Sequence, residues 1–365
     1  MPSIKATKVL QKRSDAALES FHAYYVKIWG EERWHNSLFP ALSQSTRYCA
    51  LINQFGNASE TMSFLQEGAD DQLKEEDCLQ CLRQNMGESA GKLSVVTRSS
   101  DKTFPRARLV EGLHPEETVL SHWALDFASV LAASILNVEP RDRVLDMCAA
   151  PGGKSIVLAQ LLFPTLKSDE ENDQKSILHS NEYDSMRCKR LTSNLQAYLP
   201  KILFANKAVE ALQLDGSTKT VVNELPLGEG GYDKVLLDAP CSSERHIVHA
   251  YLAARSSGRI ADEMANWKPS HSKKLAKTQG ALLMTTLKAV KIGGSVLYAT
   301  CSISIEENDG VIEATLDALG REQDKNHNRE WQIQVDRQLE DRLEAKATLD
   351  KFSETTKHET EIVIG

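Results

Sequence analysis

Two cysteines that follow apolar runs are the residues of this sequence best placed for chemistry. Cys241 lies in "LLDAPCSSERH" (236–246), shortly after Asp238, and Cys301 lies in "YATCSISIEEN" (298–308). A single cysteine usually packs as a small apolar residue. Two thiols that each follow a predicted buried strand can instead meet at one edge of a sheet, where a thiolate is a strong nucleophile.

A third segment, "VLDMCAAPGGKS" (144–155), predicts a strand that turns through glycines into a helix. Gly152 and Gly153 allow a ligand to approach the backbone closely, and the new helix offers free N–H groups. A P-loop would need glycine at 148, where this chain has cysteine, and the dinucleotide pattern G-x-G-x-x-G is absent. An adenosylmethionine loop and a turn without a ligand remain as interpretations. In the former, Glu182 at the end of the next strand would hold ribose hydroxyls.

These segments belong to a region in which apolar strands alternate with helices. Strands are predicted at 143–147, 176–182, 232–239 and 293–300, with a weaker one within 202–214. Helices are predicted at 154–162, 184–199 and 275–290. This alternation favours a mostly parallel sheet covered by helices on both faces. Because such sheets bind ligands at the carboxyl ends of their strands, Asp146, Glu182 and Asp238 are expected at that edge.

The flanking regions are predicted to be helical. Apolar residues at three- and four-residue spacing predict helices across 15–85, including 46–55, and a further helix at 118–136. Residues 85–103 read as a polar linker, and 331–349 as a helical stretch in a charged tail. The predicted organisation is a helical extension with a linker (1–104), an α/β domain (105–320) and an acidic tail (321–365).

The composition excludes a membrane protein and a uniformly basic one. No apolar run approaches the roughly 18 residues of a membrane span. Residues 306–365 hold 16 acidic and 8 basic residues, which accounts for the whole net charge of −8, so any polyanion site must be a local patch. Seven scattered cysteines without a secretory signal indicate an intracellular protein. The first 14 residues hold four basic residues and no acid, which fits either a mitochondrial presequence or a frayed basic terminus.

Together, "DMCAAPGGKS", "DAPCSSERH" and "YATCSISIEEN" resemble the three signature segments of the Sun-type RNA (cytosine-5)-methyltransferases. The likeness extends more loosely over 105–318. Within the family, "PCSSERH" and the segment 20–42 are most similar to the mitochondrial ribosomal-RNA branch. The resemblance implies a Rossmann-like methyltransferase fold, S-adenosylmethionine as cofactor and RNA as substrate.

The resemblance also implies the roles of individual residues. Cys301 is the expected nucleophile, adding to C6 of cytosine so that C5 can accept a methyl group, and Cys241 is expected to assist release. Asp238 would hydrogen-bond N3 of the base, and Lys154 would bring a cation to the thiols. The implied cofactor contacts are Cys148, Ala149, Ala150, Pro151, Gly152, Gly153, Lys154, Glu182, Asp215 and Asp238. Asp215 has the alternative interpretation of a turn residue before glycine.

A basic segment after Cys241 is the candidate RNA surface. Residues 245–277 hold seven basic and two acidic residues together with Trp267, a possible stacking ring. The residues proposed for RNA contact are Arg245, Lys268, Lys273, Lys274 and Lys277. A solvated surface is the alternative. No metal site is predicted, because neither the pair Cys78 and Cys81 nor the histidines near Cys241 have enough partners nearby.

Two departures from the family pattern keep other functions open. No separate amino-terminal RNA-binding domain is visible, and the apolar strand pair that usually closes the sheet is not evident, which suggests a shortened chain. The expected activity is methylation of ribosomal RNA, in mitochondria or otherwise in the nucleus or cytoplasm, with a possible protein partner for RNA targeting. The alternatives are a transfer-RNA methyltransferase with the same residues and a catalytically idle RNA-binding scaffold. A dehydrogenase lacks its glycine pattern.

Overall fold

The structure is a computed structural model that describes residues 4–67, 73–75, 93–99, 103–114, 116–164, 166, 176–325, 334–336 and 360–364. Its helices are α1 (Ile4–Trp29), α2 (Glu31–Arg33), α3 (Phe39–Ser43), α4 (Ala58–Gln66), α5 (Phe127–Ile135), α6 (Gly153–Leu162), α7 (Ser185–Tyr198), α8 (Lys201–Ala205), α9 (Glu244–Ser256), α10 (Asp262–Asn266), α11 (Ser270–Ala289) and α12 (Asp309–Lys325). A π-helical turn (Trp34–Leu38) joins α2 to α3, and 3₁₀ turns lie at Val221–Asn223 and Ile305–Glu307. None of the helices in these ranges is long and apolar enough to cross a bilayer.

The strands form three sheets. They are β1 (Tyr48–Ile52), β2 (Leu73–Glu75), β3 (Val95–Arg98), β4 (Leu109–Glu111), β5 (Thr118–Leu120), β6 (His122–Asp126), β7 (Arg143–Asp146), β8 (Ile177–Asn181), β9 (Val209–Leu212), β10 (Tyr232–Asp238), β11 (Val290–Ala299), β12 (Gln334–Asp336) and β13 (Thr360–Ile364). The largest sheet has the order β12-β13-β11-β10-β7-β8-β9. The five strands from β11 to β9 in that order are parallel, whereas β13 is antiparallel to both of its neighbours. This arrangement confirms the predicted fold class of a mostly parallel sheet flanked by helices.

The main sheet is apolar because both of its faces are covered. Val144 and Leu145 on β7 are fully buried, as are Leu236 and Leu237 on β10. One cluster of core side chains lies between the sheet and α5, α6 and α7, and a second lies between the sheet and α11 and α12. A run of apolar residues without alternation, as in β10, is what burial on two faces requires.

Two helices near the site begin at aspartates that cap them. The side chain of Asp126 accepts a hydrogen bond from the Ala128 N–H at the start of α5. Asp184 accepts from the Met186 and Arg187 N–H groups at the start of α7. Such side-chain acceptors satisfy N–H groups that have no partner within the helix.

Two predicted helices are wrong in part. Residues 48–52 within the predicted helix 46–55 form β1, and the first half of the predicted helix 118–136 forms β5 and β6. β1 pairs with β6 over five residues, so pairing with a distant segment overrides the local helical spacing. The pairing of β1 with β6 also joins the predicted extension (1–104) to the predicted α/β domain (105–320), because the two strands lie on opposite sides of residue 104. The division of the chain at that residue stays a prediction.

The carboxyl-terminal expectation also needs correction. A strand pair is present beside β11, since β13 pairs with β11 and β12 pairs with β13. Residues 334–336 belong to this pair although the sequence predicts a helical stretch at 331–349, the rest of which lies outside the described residues. The predicted linker at 85–103 is wrong in its described part, where 95–98 form β3 and pair with β1 and β2; the rest of it lies mostly outside the described residues. Local sequence patterns do not predict this strand pair, because β12 is short and its partner lies more than 20 residues further along the chain.

Candidate active site

The two reactive cysteines meet where β10 and β11 end. Asp238 at the end of β10 is in register with Ala299 at the end of β11, and the Ala239 N–H donates to the Ala299 carbonyl at 2.9 Å. The chain therefore leaves both strands at the same level. Beyond them, the Sγ atoms of Cys241 and Cys301 lie 2.9 Å apart. The structure thus brings together the two thiols that the sequence singled out.

The two thiols differ in their acidity. The hydrogen bond with Cys241 lowers the pKa of Cys301, and the Ser243 hydroxyl, 3.3 Å from the Cys301 Sγ, acts in the same direction. The same Cys241–Cys301 contact, together with burial, raises the pKa of Cys241 well above its ordinary value. The arrangement favours a thiolate on Cys301 and a protonated thiol on Cys241. Since the thiolate is the nucleophilic form, Cys301 is the better nucleophile of the pair.

Ser243 holds an uncommon backbone conformation beside the thiols. Its φ is +56°, in the left-handed region that residues other than glycine rarely adopt. The residue precedes α9 and places its hydroxyl near the sulfur of Cys301. Strained conformations of this kind are often found at functional sites.

A buried glutamate fastens the two cysteine loops to each other. Glu307 is fully buried and accepts hydrogen bonds from the Ser242 N–H at 2.9 Å and from the Ser302 hydroxyl at 3.3 Å. These serines directly follow the two cysteines, and their hydroxyls lie 2.9 Å apart. Gln279 on α11 donates to Glu307 and also to the Pro240 carbonyl. Ser304 and Glu307 have the spacing of a helix capping box, but the side chain of Glu307 is used for this loop contact instead.

Lys154, at the start of α6, pairs with Asp238 at the end of β10. The Lys154 Nζ is 2.7 Å from an Asp238 carboxylate oxygen and 3.3 Å from the Ser129 hydroxyl. Burial acts to lower the pKa of Lys154, but the Asp238 carboxylate outweighs it and the pKa is raised. The ammonium therefore stays charged. It lies at the edge of the sheet where the sequence placed it, and its hydrogen bonds there are with Asp238 and Ser129 rather than with a sulfur.

The glycine turn forms one wall of a pocket next to this ion pair. Gly152 has a φ of +115°, and a Cβ on Gly153 would lie 2.9 Å from the Trp123 indole nitrogen. The predicted residues Cys148, Ala149, Ala150, Pro151, Gly153, Lys154 and Asp238 line this pocket. Trp123, Leu125, Ser129 and Asp146 line it as well; sequence reasoning placed Asp146 at a strand end and missed the other three, which lie on and just after β6.

Asp146 lines this pocket and is almost completely buried. Its Oδ2 accepts the Ser155 hydroxyl at 2.7 Å, whereas its buried Oδ1 has no hydrogen-bond partner among the described residues. Burial raises the pKa of Asp146 to about 7. An unpaired buried carboxylate oxygen costs free energy unless a ligand or solvent donates to it. The buried carboxylate and the close approach of Gly153 to Trp123 give this part of the pocket a polar and narrow wall.

Three predicted cofactor residues are not among the pocket residues named above: Gly152, which belongs to the glycine turn, and Glu182 and Asp215, which lie just after neighbouring strands. Glu182 is buried, accepts the Asp184 N–H at 2.9 Å and lies 3.3 Å from the Arg187 guanidinium. An oxygen of Asp215 accepts the Ser217 N–H and hydroxyl, as the turn interpretation predicts. Neither carboxylate is among the pocket residues named above, so their cofactor roles stay predictions.

Asn181 is a missed residue that ties these strand ends together. Its side-chain amide donates to the Met147 and Leu214 carbonyls, each at 3.0 Å, and its side-chain oxygen accepts the Leu214 N–H. The glycine turn adds a further contact, since the Ala149 N–H donates to the Asn181 carbonyl. Asn181 thereby fixes the spacing of the three segments that the sequence assigns to the cofactor. An asparagine at the end of a strand carries no local sequence signal for this role.

The basic segment is only partly as expected. Lys268, Lys273, Lys274 and Lys277 are exposed, and Arg245 is half-buried and donates to the Ala41 carbonyl. The stacking role suggested for Trp267 is wrong in this structure, because its ring is 7% exposed and packs against Phe21 of α1 at a centroid distance of 5.0 Å. No cluster of metal-binding side chains occurs within the described ranges, which exclude Cys78 and Cys81.

Comparisons with known proteins agree with this site. Residues 133–352 match the family described as 16S rRNA methyltransferase RsmB/F. The chain is 30% identical over 310 residues to the zebrafish (Danio rerio) protein named tRNA (cytosine(34)-C(5))-methyltransferase, mitochondrial, covering 85% of this chain and 75% of that one. It is 29% identical over 324 residues to mouse (Mus musculus) 5-cytosine rRNA methyltransferase NSUN4, covering 85% and 76%.

Solved structures agree on the fold. A methyltransferase homologue from Pyrococcus horikoshii aligns with a TM-score of 0.56 and 20% identity, over 100% of this chain and 99% of that one. NSun6 from the same organism, solved with SFG, aligns with a TM-score of 0.50 and 17% identity, over 81% and 86%. The family match covers more than half of the chain and includes both cysteines and the glycine turn. The chain therefore belongs to the 16S rRNA methyltransferase RsmB/F family, that is, to the Sun-type RNA (cytosine-5)-methyltransferases.

Proposed function

We propose that this protein transfers a methyl group from S-adenosylmethionine to C5 of a cytosine in RNA, with ribosomal RNA as the leading substrate. The observation that carries the proposal is the contact between Cys241 and Cys301, with the more acidic thiol on the residue assigned as nucleophile. Membership of an RNA methyltransferase family supports the substrate class and the use of this cofactor.

The pocket beside the glycine turn is the proposed cofactor site. Residues 148–154 would hold the amino-acid and sulfonium end beside the Asp146 carboxylate, and Glu182 would accept the ribose hydroxyls. When bound, the cofactor supplies an electrophilic methyl group. Asp215 would lie toward the adenine. Lys154 and Asp238 line this pocket, and Asp238 ends β10 three residues before Cys241, which supports transfer at this edge of the sheet.

The residues of the chain divide the reaction between them. The Cys301 thiolate would add to C6 of the cytosine while Asp238 holds N3, and the electron pair would move toward C5. C5 would then take the methyl group as the bond from that group to the sulfonium sulfur breaks, with the electron pair of that bond left on the sulfur. The C5 proton would then pass to water, its bonding electrons would re-form the C5–C6 double bond, and the Cys301 sulfur would depart as a thiolate. Cys241 assists this release from 2.9 Å away. Each bond that forms at C6 is thus broken again, and the enzyme is regenerated.

Transfer RNA is the alternative substrate, since the zebrafish relative is named for it at nearly the same identity as the ribosomal enzyme of mouse. Incubation of the purified chain with labelled S-adenosylmethionine and separated RNA classes tests both. Label in ribosomal RNA at cytosine C5 is expected. Label confined to transfer RNA would change the substrate, and no label in any RNA would favour the idle scaffold.

A mitochondrial location is part of the proposal, supported by the name of the zebrafish relative. Arg245, Lys268, Lys273, Lys274 and Lys277 are the proposed RNA contacts. A protein partner for RNA targeting is included as well, because lysine contacts with phosphate position an RNA without reading its sequence. Imaging of the tagged chain with a mitochondrial marker tests the location.

A further inference from the structure

We propose that the N-terminal helix α1 positions the two reactive thiols through the Tyr25 hydroxyl and the Glu244 carboxylate. Tyr25 is thus a positioning residue, which acts through Glu244 and touches no substrate. The catalytic consequence rests on the proposed function, whereas the contacts themselves are within the protein. Tyr25 lies outside the three signature segments. Glu244 lies within the second of them, where no reactive role is assigned to it.

Glu244 is the point where three parts of the chain meet. It is fully buried, and its Oε1 accepts the Tyr25 hydroxyl at 2.7 Å and the hydroxyl of Ser242. Its Oε2 accepts the Ile303 N–H at 3.2 Å. Ser242 directly follows the first reactive cysteine, and Ile303 lies two residues after the second. One carboxylate therefore holds both cysteine loops and connects them to α1.

The buried carboxylate depends on its donors. Burial raises the pKa of Glu244, and the hydrogen bonds from Ser242 and Tyr25 act in the opposite direction. Each donor therefore favours the ionised carboxylate, which accepts all of these contacts at once. Loss of the Tyr25 hydroxyl removes one hydrogen-bond donor from a carboxylate that water does not reach. If Glu244 were protonated in response, the oxygen that carries the proton would accept fewer hydrogen bonds. The cysteine loops would then lose part of their anchor.

Helix α1 is a firm base for this contact. Phe21, Tyr25 and Trp34 are fully buried in one aromatic cluster, in which the rings of Tyr25 and Trp34 stack at 5.1 Å. The Arg13 guanidinium donates to the Ala265 carbonyl at 2.9 Å, which ties α1 to α10. Because the ring of Tyr25 is fixed by packing, its hydroxyl can define the position of Glu244.

Tyr25→Phe in the full chain tests the proposal, since it removes the hydroxyl and keeps the ring. The first measurement is the rate at which iodoacetamide alkylates Cys301, resolved by peptide mass spectrometry without RNA or S-adenosylmethionine. The Cys241 contact is the largest influence that lowers the pKa of Cys301, so displaced loops should slow alkylation at neutral pH by at least about threefold. The second is RNA methylation, where kcat should fall by at least about tenfold with KM for the cofactor within about twofold.

Tyr24→Phe is the matched control. Its hydroxyl lies on the same helix and donates to Glu306 at 2.8 Å rather than to Glu244. Alkylation and kcat should stay within about twofold of the parent protein. Glu244→Gln, which keeps the shape of the side chain, should resemble Tyr25→Phe in both measurements.

Two outcomes would overturn the positioning role. One is a folded Tyr25→Phe protein whose Cys301 is alkylated at the parent rate; the other is a Tyr24→Phe protein with the same losses. The proposed function fails separately: if alkylation slows as expected but the parent protein methylates no RNA, the anchor stands and the reaction assigned to it does not.

Discussion

The sulfur atoms of Cys241 and Cys301 lie 2.9 Å apart, although the two residues are 60 positions apart in the chain. The parallel register of β10 and β11 brings them together, because it ends both strands at the same level. The glycine turn after β7 lies at the same edge of the sheet, and β7 is the other neighbour of β10. Three segments that are separate in sequence thus form one site.

Cys301→Ala should abolish methyl transfer and leave cofactor binding intact. The substitution removes the more acidic thiol, so activity should fall by more than about a thousandfold, as loss of a nucleophile does in other enzymes. Label incorporation into RNA measures the loss, and titration calorimetry with S-adenosylmethionine measures the binding. Cys188→Ala, at a buried cysteine whose thiol contacts the Leu212 carbonyl, is the control. Turnover retained by Cys301→Ala would refute the nucleophile assignment.

Cys241→Ala should leave the protein covalently joined to its RNA. Cys301 can still add to the base, whereas the thiol that assists its departure is gone. A slowly migrating protein–RNA band should appear on denaturing gels when cofactor and RNA are both supplied. The double variant with Cys301→Ala should show no such band. A Cys241→Ala protein that runs free of RNA under these conditions would count against the release role.

Gly153→Ala should weaken cofactor binding. The added Cβ would lie 2.9 Å from the Trp123 indole nitrogen, so the indole or the turn must shift and narrow the pocket. We expect the Kd for S-adenosylmethionine to rise by at least about tenfold, which corresponds to about 1.4 kcal/mol. Gly320→Ala, in a helix with open space around the added carbon, is the matched control. If the two variants bound S-adenosylmethionine with equal affinity, the glycine turn would not be part of the cofactor site.

Neutralising Lys273, Lys274 and Lys277 with glutamine should weaken RNA binding and flatten its salt dependence. Each phosphate contact that is lost reduces the slope of log K against log salt by about 0.7 to 0.9. The triple variant should therefore have a slope lower by up to about 2 to 3 units. Lys288→Gln serves as the control, since Lys288 on the same helix is paired with Glu322 at 2.8 Å. A slope equal to that of the parent would exclude this surface from RNA contact.

The sequence was sufficient where apolar pattern and strand order decide the structure. The five parallel strands and the helices after β7 and β8 lie close to their predicted positions, because burial on both faces gives continuous apolar runs. The meeting of Cys241 and Cys301 followed from that order. Local spacing failed at β1 and β6, which are strands only because each pairs with a distant partner.

The buried residues that hold the site in place could not be predicted from the sequence. Nothing local marks Asn181 as the residue that joins three strand ends, or Glu244 as the acceptor for Tyr25, 219 positions away. Buried polar side chains find their partners through the fold, and a pattern of residue types does not show which ones meet. Trp267 illustrates the same limit: its position among lysines suggested an exposed ring, and α1 covers it.

The contact of Trp267 with α1 gives the protein a built-in optical reporter. The indole packs against Phe21, Tyr24 and Tyr25 on the helix that carries the anchor for the thiols. Any loosening of that helix would expose the Trp267 ring to water. An indole that moves from an apolar environment into water emits at longer wavelength. In a chain whose other four tryptophans are replaced by phenylalanine, local departure of α1 can therefore be followed by fluorescence.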